Sequence, residues 1–140
     1  LGATPLPAFW QQCAPSEIAN TLGFLQPSEE TVAAAASLRS AAEIEHWADT
    51  YLTVHWRLRE FGRGAVPIDF EKFVAECIWG PLTLAELETV NRDLSVDGIA
   101  IADWPQEQVQ SIASIVRERH QALNWLLGFD VVYSEVSTDT

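Results

Sequence analysis

At 140 residues the chain fits one domain, long enough to bury about two-thirds of the surface its unfolded form exposes. A hydrophobic fraction of 48% with six Trp and six Phe excludes a disordered polymer, and no apolar run nears the roughly 20 residues that a membrane helix needs. The formal net charge of -12 repels phosphate backbones and anionic lipid heads, so neither nucleic acid nor a membrane is expected as a partner; a basic protein partner suits it better.

The first fifteen residues, with Pro5, Pro7 and Pro15 around Phe9 and Trp10, read as an extended N-terminal arm that packs by its aromatics. Residues 16–140 read as a single helical domain. Ser16 is placed to cap a short helix that ends near Gly23, and Ser28 opens a second short helix that runs through Ala33 to Ala36 to about Leu38. Ser40-Ala41-Ala42-Glu43 is a capping box, in which the hydroxyl accepts from the third amide and Glu43 reaches back to Ser40. The long helix that follows carries Ile44, Trp47, Tyr51, Val54, Leu58 and Phe61 at intervals of three and four, the spacing of one buried stripe, and is stopped by Gly62 and Gly64. His55 lies within the stripe. His46 is about 200° around the axis from Ile44 and is expected to face water with Asp49 and Thr53.

Asp69 is placed to cap a third amphipathic segment that turns Phe70, Phe73, Val74, Cys77 and Ile78 inward and ends at Gly80-Pro81. Thr83-Leu84-Ala85-Glu86 has the form of a second capping box, which predicts a short helix to about Val90. The apolar runs of residues 94–101 flank Asp97-Gly98, a pair that tolerates positive φ and suits a type I′ turn, so one small β-hairpin is expected there as the sole strand pair. Pro105 starts a last long helix with Val109, Ile112, Val116, Leu123 and Leu127 on one face, ended by Gly128. The fold expected is mainly α: a compact multi-helix domain with two long central helices and one small hairpin.

Within the last helix the stretch ERHQALNWLLG sets Glu118, Arg119, His120 and Asn124 among Ala122, Leu123, Trp125, Leu126 and Leu127. Polar groups in such company need partners on folding, which marks either a structural network or a ligand site. His120 and Asn124 share a face, and where the two long helices cross near His55 the imidazoles can meet. Two His with Glu118 would suffice for a metal, but Glu118 points about 200° away from His120, and motifs such as HExxH are absent; no metal or other cofactor is assigned. For Arg119 the structural reading is a clasp onto Asp139 that pins the tail against the last helix. No GxSxG elbow or phosphate loop occurs, and Gly62-Arg63-Gly64 is too short to cradle a nucleotide, so no catalytic residue is assigned. Trp47, Trp56 and Trp125 are candidates to line a small-molecule pocket between helices, and exposure of Trp56 or Trp79 would suit a homodimer.

Cys13 and Cys77 lack zinc or disulfide spacing and read as free thiols of a reducing, cytoplasmic setting. No signal peptide is visible, and the absence of Met with Leu1 at the start reads as a native start lying outside this sequence.

The ERHQALNWLLG helix followed by a terminal Asp139-Thr140 resembles the DUF4272 family, an uncharacterised bacterial domain. The likeness extends through Leu38-Arg39-Ser40 before Glu43-Ile44, His55-Trp56-Arg57, the Asp69-Phe70 to Trp79 segment and Asp93-Leu94 leading into Asp97-Gly98. It covers the chain from about Ser16 onward, while Phe129 to Ser134 depart from the aromatic-acidic tail of that family. The resemblance implies a mostly helical domain and brings no activity, substrate or cofactor. The leading functional expectation is therefore a non-enzymatic acidic interaction or accessory protein, immunity-like in character. The alternatives are a metal-dependent or acid/base hydrolase using His55, His120 and Glu118, and a small-molecule-binding helical domain.

Overall fold

A computed structural model describes residues 6–23, 27, 39–64 and 67–139. The elements run α1 (Pro15–Leu22), α2 (Ala41–Gly64), α3 (Phe70–Glu76), β1 (Thr89–Val90), β2 (Asp93–Val96), β3 (Ile99–Ala100) and α4 (Gln106–Leu126), with 3-10 turns at Ile101–Asp103 and Tyr133–Glu135. The chain is mainly α. The helix expected from Ser28 lies outside the described residues.

Helices α2 and α4, of 24 and 21 residues, form the most extensive contact between elements among the described residues. Tyr51, Val54, Leu58 and Phe61 from α2 are buried against Val109, Ile112 and Val116 from α4, as their spacing requires. Phe9 of the arm, Phe70, Leu94, Val96 and Ile101 complete this core. Each such side chain contributes roughly 1.5–3 kcal/mol through burial, which is the main term holding the helices together.

Local signals decide the helix ends. At the start of α2 the Glu43 amide donates to Ser40 Oγ at 3.2 Å, half of the expected capping box; the Glu43 carboxylate turns away to pair with Arg39, the stronger partner because it is charged. Helix α2 runs through Gly62 to Gly64 before it stops. Helix α3 begins as expected, with Asp69 accepting from the Lys72 amide at 3.1 Å, but ends at Glu76. Ile78 is consequently 98% exposed, not inward-facing, because the chain has already left the helical register.

No helix forms from Thr83. Its hydroxyl accepts from the Ala85 amide, a local Ser/Thr turn that competes with helix initiation, and Glu86 adopts φ 65°. The chain then enters β1, so the hairpin is one half of a three-stranded antiparallel sheet in the order β1-β2-β3. Two tight turns build it, Asn91-Arg92 between Val90 and Asp93 and Asp97-Gly98 between Val96 and Ile99. All four turn residues have positive φ, as type I′ hairpins demand. The first turn also docks α3, whose Phe70 and Glu71 amides both donate to the Arg92 carbonyl.

One ionic pair is locked inside this frame. Arg57 is fully buried and Asp93 nearly so; Nε and Nη2 of Arg57 donate to the two carboxylate oxygens at 2.5 and 2.6 Å. Asp93 also accepts from the Leu94 and Ala102 amides, so a single carboxylate joins α2, the sheet and the 3-10 turn after it. Position 57 is three residues beyond Val54 and four before Phe61, so its burial follows from the stripe itself.

Candidate functional site

On α4 the buried face does not end at Val116. Adding four residues gives His120, and four more gives Asn124, and both are buried. The opposing position on α2 is His55, also buried, and the two imidazoles meet with Nδ1 to Nδ1 at 3.1 Å and rings nearly perpendicular. The crossing anticipated from the two stripes thus occurs at these residues.

Hydrogen-bond counting assigns the protons. Asn124 Nδ2 donates to the Ser137 carbonyl at 3.1 Å, which accepts only, and its second N–H lies 3.2 Å from His120 Nε2. His120 Nε2 is therefore unprotonated, and its proton sits on Nδ1 and donates to His55 Nδ1. His55 in turn carries its own proton on Nε2. Each contact along the chain Asn124, His120, His55 then joins one donor to one acceptor while both rings are neutral. Their pKa values agree with this. His55 is pushed down from 6.5 to about 4 by burial, then by the Arg59 and Arg117 guanidiniums, and His120 to about 4 by burial and then by His55.

His120 and Asn124 form the buried floor of a cavity of about 590 Å³. Its other walls include the carboxylates Glu45, Asp49 and Asp139 and the aromatic rings of Trp79 and Phe129. Asp49 faces this cavity because the α2 turn around it is bound on the inner side: Thr53, expected in water, is wholly buried, donates to the Asp49 carbonyl and accepts from the Thr83 amide. The Asp49 carboxyl is pushed up by burial, against a smaller lowering by His46 and with a further rise from Glu45. The C-terminal tail closes the cavity from the other side, tethered through Asn124 to Ser137 and through Gln121 Nε2 to the Tyr133 carbonyl at 2.8 Å.

The six candidate residues thus divide. His55, His120 and Asn124 are brought together, and Asp139 joins the cavity that His120 and Asn124 floor. Glu118 is exposed and paired with Arg117 at 2.9 Å, so the set His55, His120 and Glu118 is not assembled. Among the described residues no three His, Cys, Asp or Glu side chains gather as a metal would need.

The Arg119 to Asp139 clasp is replaced by another. Arg119 reaches the N-terminal arm, donating to the Ala8 and Gln11 carbonyls at 2.9 and 2.5 Å and to the Tyr51 hydroxyl at 3.0 Å. The arm, with Phe9 buried against the core, offers fixed carbonyls near the middle of α4, whereas the tail returns further along it.

The three tryptophans do not share a pocket. Trp47 lines a separate cavity of about 160 Å³ beneath the arm, Trp56 stacks on Phe73 with centroids 3.7 Å apart, and Trp125 stands edge-on to Tyr133. Trp79, half exposed, is the ring that reaches the acidic cavity. Sequence reasoning missed Glu45, Asp49 and Phe129 as cavity walls. The available signal was the i, i+4 pair of acids Glu45 and Asp49 on one side of α2.

No helix of the described residues is long and apolar enough to cross a membrane. No family model, no curated protein and no solved structure matches the chain, and the likeness to the DUF4272 family rests on the residues quoted for it.

Proposed function

We propose that the chain is a non-enzymatic acidic interaction module that takes a cationic side chain of a basic protein partner into the cavity between α2 and the C-terminal tail. The observation that carries this is the cavity's make-up: three carboxylates, two aromatic rings and, among the described lining residues, no Lys or Arg. A Lys or Arg entering it finds charge at Glu45, Asp49 and Asp139, ring faces at Trp79 and Phe129 for a cation–π contact, and apolar wall for its methylene stem. Burial opposes the charge on Asp49, and a bound cation relieves that cost. An accessory or immunity-like role fits such a module.

An acid/base hydrolase is disfavoured by the same hydrogen-bond chain. A general base needs an unprotonated nitrogen within reach of substrate, yet the bare nitrogen of His120 is engaged by Asn124 and that of His55 by His120.

The test is titration of short Arg- and Lys-rich peptides, followed by calorimetry and by the fluorescence of Trp79, against the natural chain and the double variant Asp49→Asn with Asp139→Asn. Saturable binding that weakens about tenfold or more in the variant is expected, since charge-assisted hydrogen bonds contribute about 1.5–3 kcal/mol each. Binding that is absent, or equal in both proteins, rejects the proposal.

A further inference from the structure

Helix α4 ends in a way that leaves large apolar side chains outside. Gly128 adopts φ 81°, a left-handed conformation that reverses the chain, and the Phe129 amide turns back to donate to the Asn124 carbonyl at 3.1 Å. Phe129 thereby becomes a wall of the acidic cavity while 68% exposed, and Val131, two residues on, is 93% exposed. The opposite wall repeats the pattern. Trp79 lines the cavity half exposed, and its neighbour Ile78 is almost wholly in water. A single exposed apolar residue needs no explanation, but four on the two sides of one acidic cavity do. The tail that carries two of them is held in place: Trp125 Nε1 donates to the Val131 carbonyl at 3.4 Å, Gln121 to that of Tyr133, and Val136 is buried.

We propose that the partner segment is amphipathic, a Lys or Arg that enters the acidic cavity flanked by large apolar side chains that seat on the exposed rim of Ile78, Trp79, Phe129 and Val131. This rests on the cavity being a cation site, as set out above, and adds what surrounds the cation.

Charge decides the occupant. Residues 73–91 and 120–140, which supply both sides of the rim, contain six Asp or Glu and no Lys or Arg. A second copy of the chain would press these acids against their own counterparts, whereas a basic segment brings the opposite sign. Desolvation couples the two halves of the contact. An uncharged apolar partner that covered Trp79 and Phe129 would strip water from Glu45, Asp49 and Asp139 without a counter-charge, and a cation between polar neighbours would leave the rim in water. A cation carried between apolar side chains meets both needs at once, with aromatic anchors at the centre of the contact.

Three peptides of equal length test this by calorimetry: a central Arg between Leu residues, the same Arg between Ser residues, and Gln in place of Arg between Leu residues. The Leu-flanked Arg peptide should bind about tenfold or more tighter than the Ser-flanked one, with a more negative heat-capacity change. In the double variant Ile78→Ser with Val131→Ser, at exposed positions that do not threaten the fold, this advantage should vanish while affinity for the Ser-flanked peptide stays as it was. Equal affinity for the two Arg peptides overturns the inference and leaves the cation site standing. Failure of both to bind rejects the cation site and the inference with it. Gln-peptide binding as tight as that of its Arg counterpart overturns the coupling of charge to the rim, and a dimer seen by sedimentation that the double variant abolishes assigns the rim to a second copy and overturns the proposal.

Discussion

Acidification should destabilise this fold well above the pH at which its carboxylates titrate, and the cause is the imidazole pair. Each ring has a folded pKa near 4 against 6.5 when unfolded. Between those values the unfolded chain binds more protons than the folded one, so stability is complete above pH 6.5 and is lost as pH falls toward 4. Structure explains why a proton has nowhere to go. The free position on His120 is Nε2, where it would displace Asn124; the free position on His55 is Nδ1, where it would face the His120 N–H at 3.1 Å. Exposures of 6% and 3% mean that water cannot substitute for the lost bond. At about 1.4 kcal/mol per pKa unit, the first protonation costs about 3 kcal/mol over this window, and the second is coupled to it and does not double the figure. That is a large share of the roughly 5–15 kcal/mol typical of a domain. Asp49, whose carboxyl is raised, works in the opposite sense and offsets a part of the loss at the acidic end. Urea unfolding at pH 7, 6, 5 and 4 measures the effect, and nitrogen-15 imidazole spectra assign it, with His120 protonated on Nδ1 and His55 on Nε2 at neutral pH. Titration of either ring near 6.5, or unchanged urea midpoints between pH 7 and 5, would refute the reasoning.

Three further outcomes are expected. Asp93→Ala strands the fully buried Arg57 guanidinium and should cost about 3–5 kcal/mol, whereas the paired change Arg57→Met with Asp93→Leu should be much milder; urea unfolding at unchanged m-value reads both. Arg119→Ala removes the donors to Ala8 and Gln11, so amide exchange at Phe9 and Trp10 should accelerate while that of α4 stays slow, with a stability loss of about 1–2 kcal/mol. Asn124→Leu keeps the volume but removes the tether to Ser137, and should speed exchange in residues 136–139 and release the His120 tautomer, seen in the same imidazole spectra.

What could be read from the sequence was what depends on period and on local caps. The stripes of α2 and α4, the Asp69 cap and the Asp97-Gly98 turn are all set within a few residues of chain, where propensity and geometry act directly. Thr83 to Val90 went the other way because its capping-box pattern competes with a Ser/Thr turn and with a strand partner that only the folded sheet supplies at Leu94. The polar residues ERHQALNWLLG pointed at the site for a sound reason, since His120 and Asn124 stand on the buried face, but the carbonyl partners of Arg119, at Ala8 and Gln11, lie more than a hundred residues earlier and no periodicity reports them.

Arg57 makes the limit concrete. Its spacing to Val54 and Phe61 puts it inward as surely as any Leu, and a hydropathy reading discounts it because an isolated guanidinium in a core is prohibitive. It becomes tolerable only through Asp93, which a type I′ turn and a two-residue strand deliver to the same depth with two amides already directed at its oxygens. The same logic governs the helix seam. Asn124, His120 and His55 are each unfavourable to bury alone, and they become tolerable together because every contact between them joins one donor to one acceptor while both rings stay neutral.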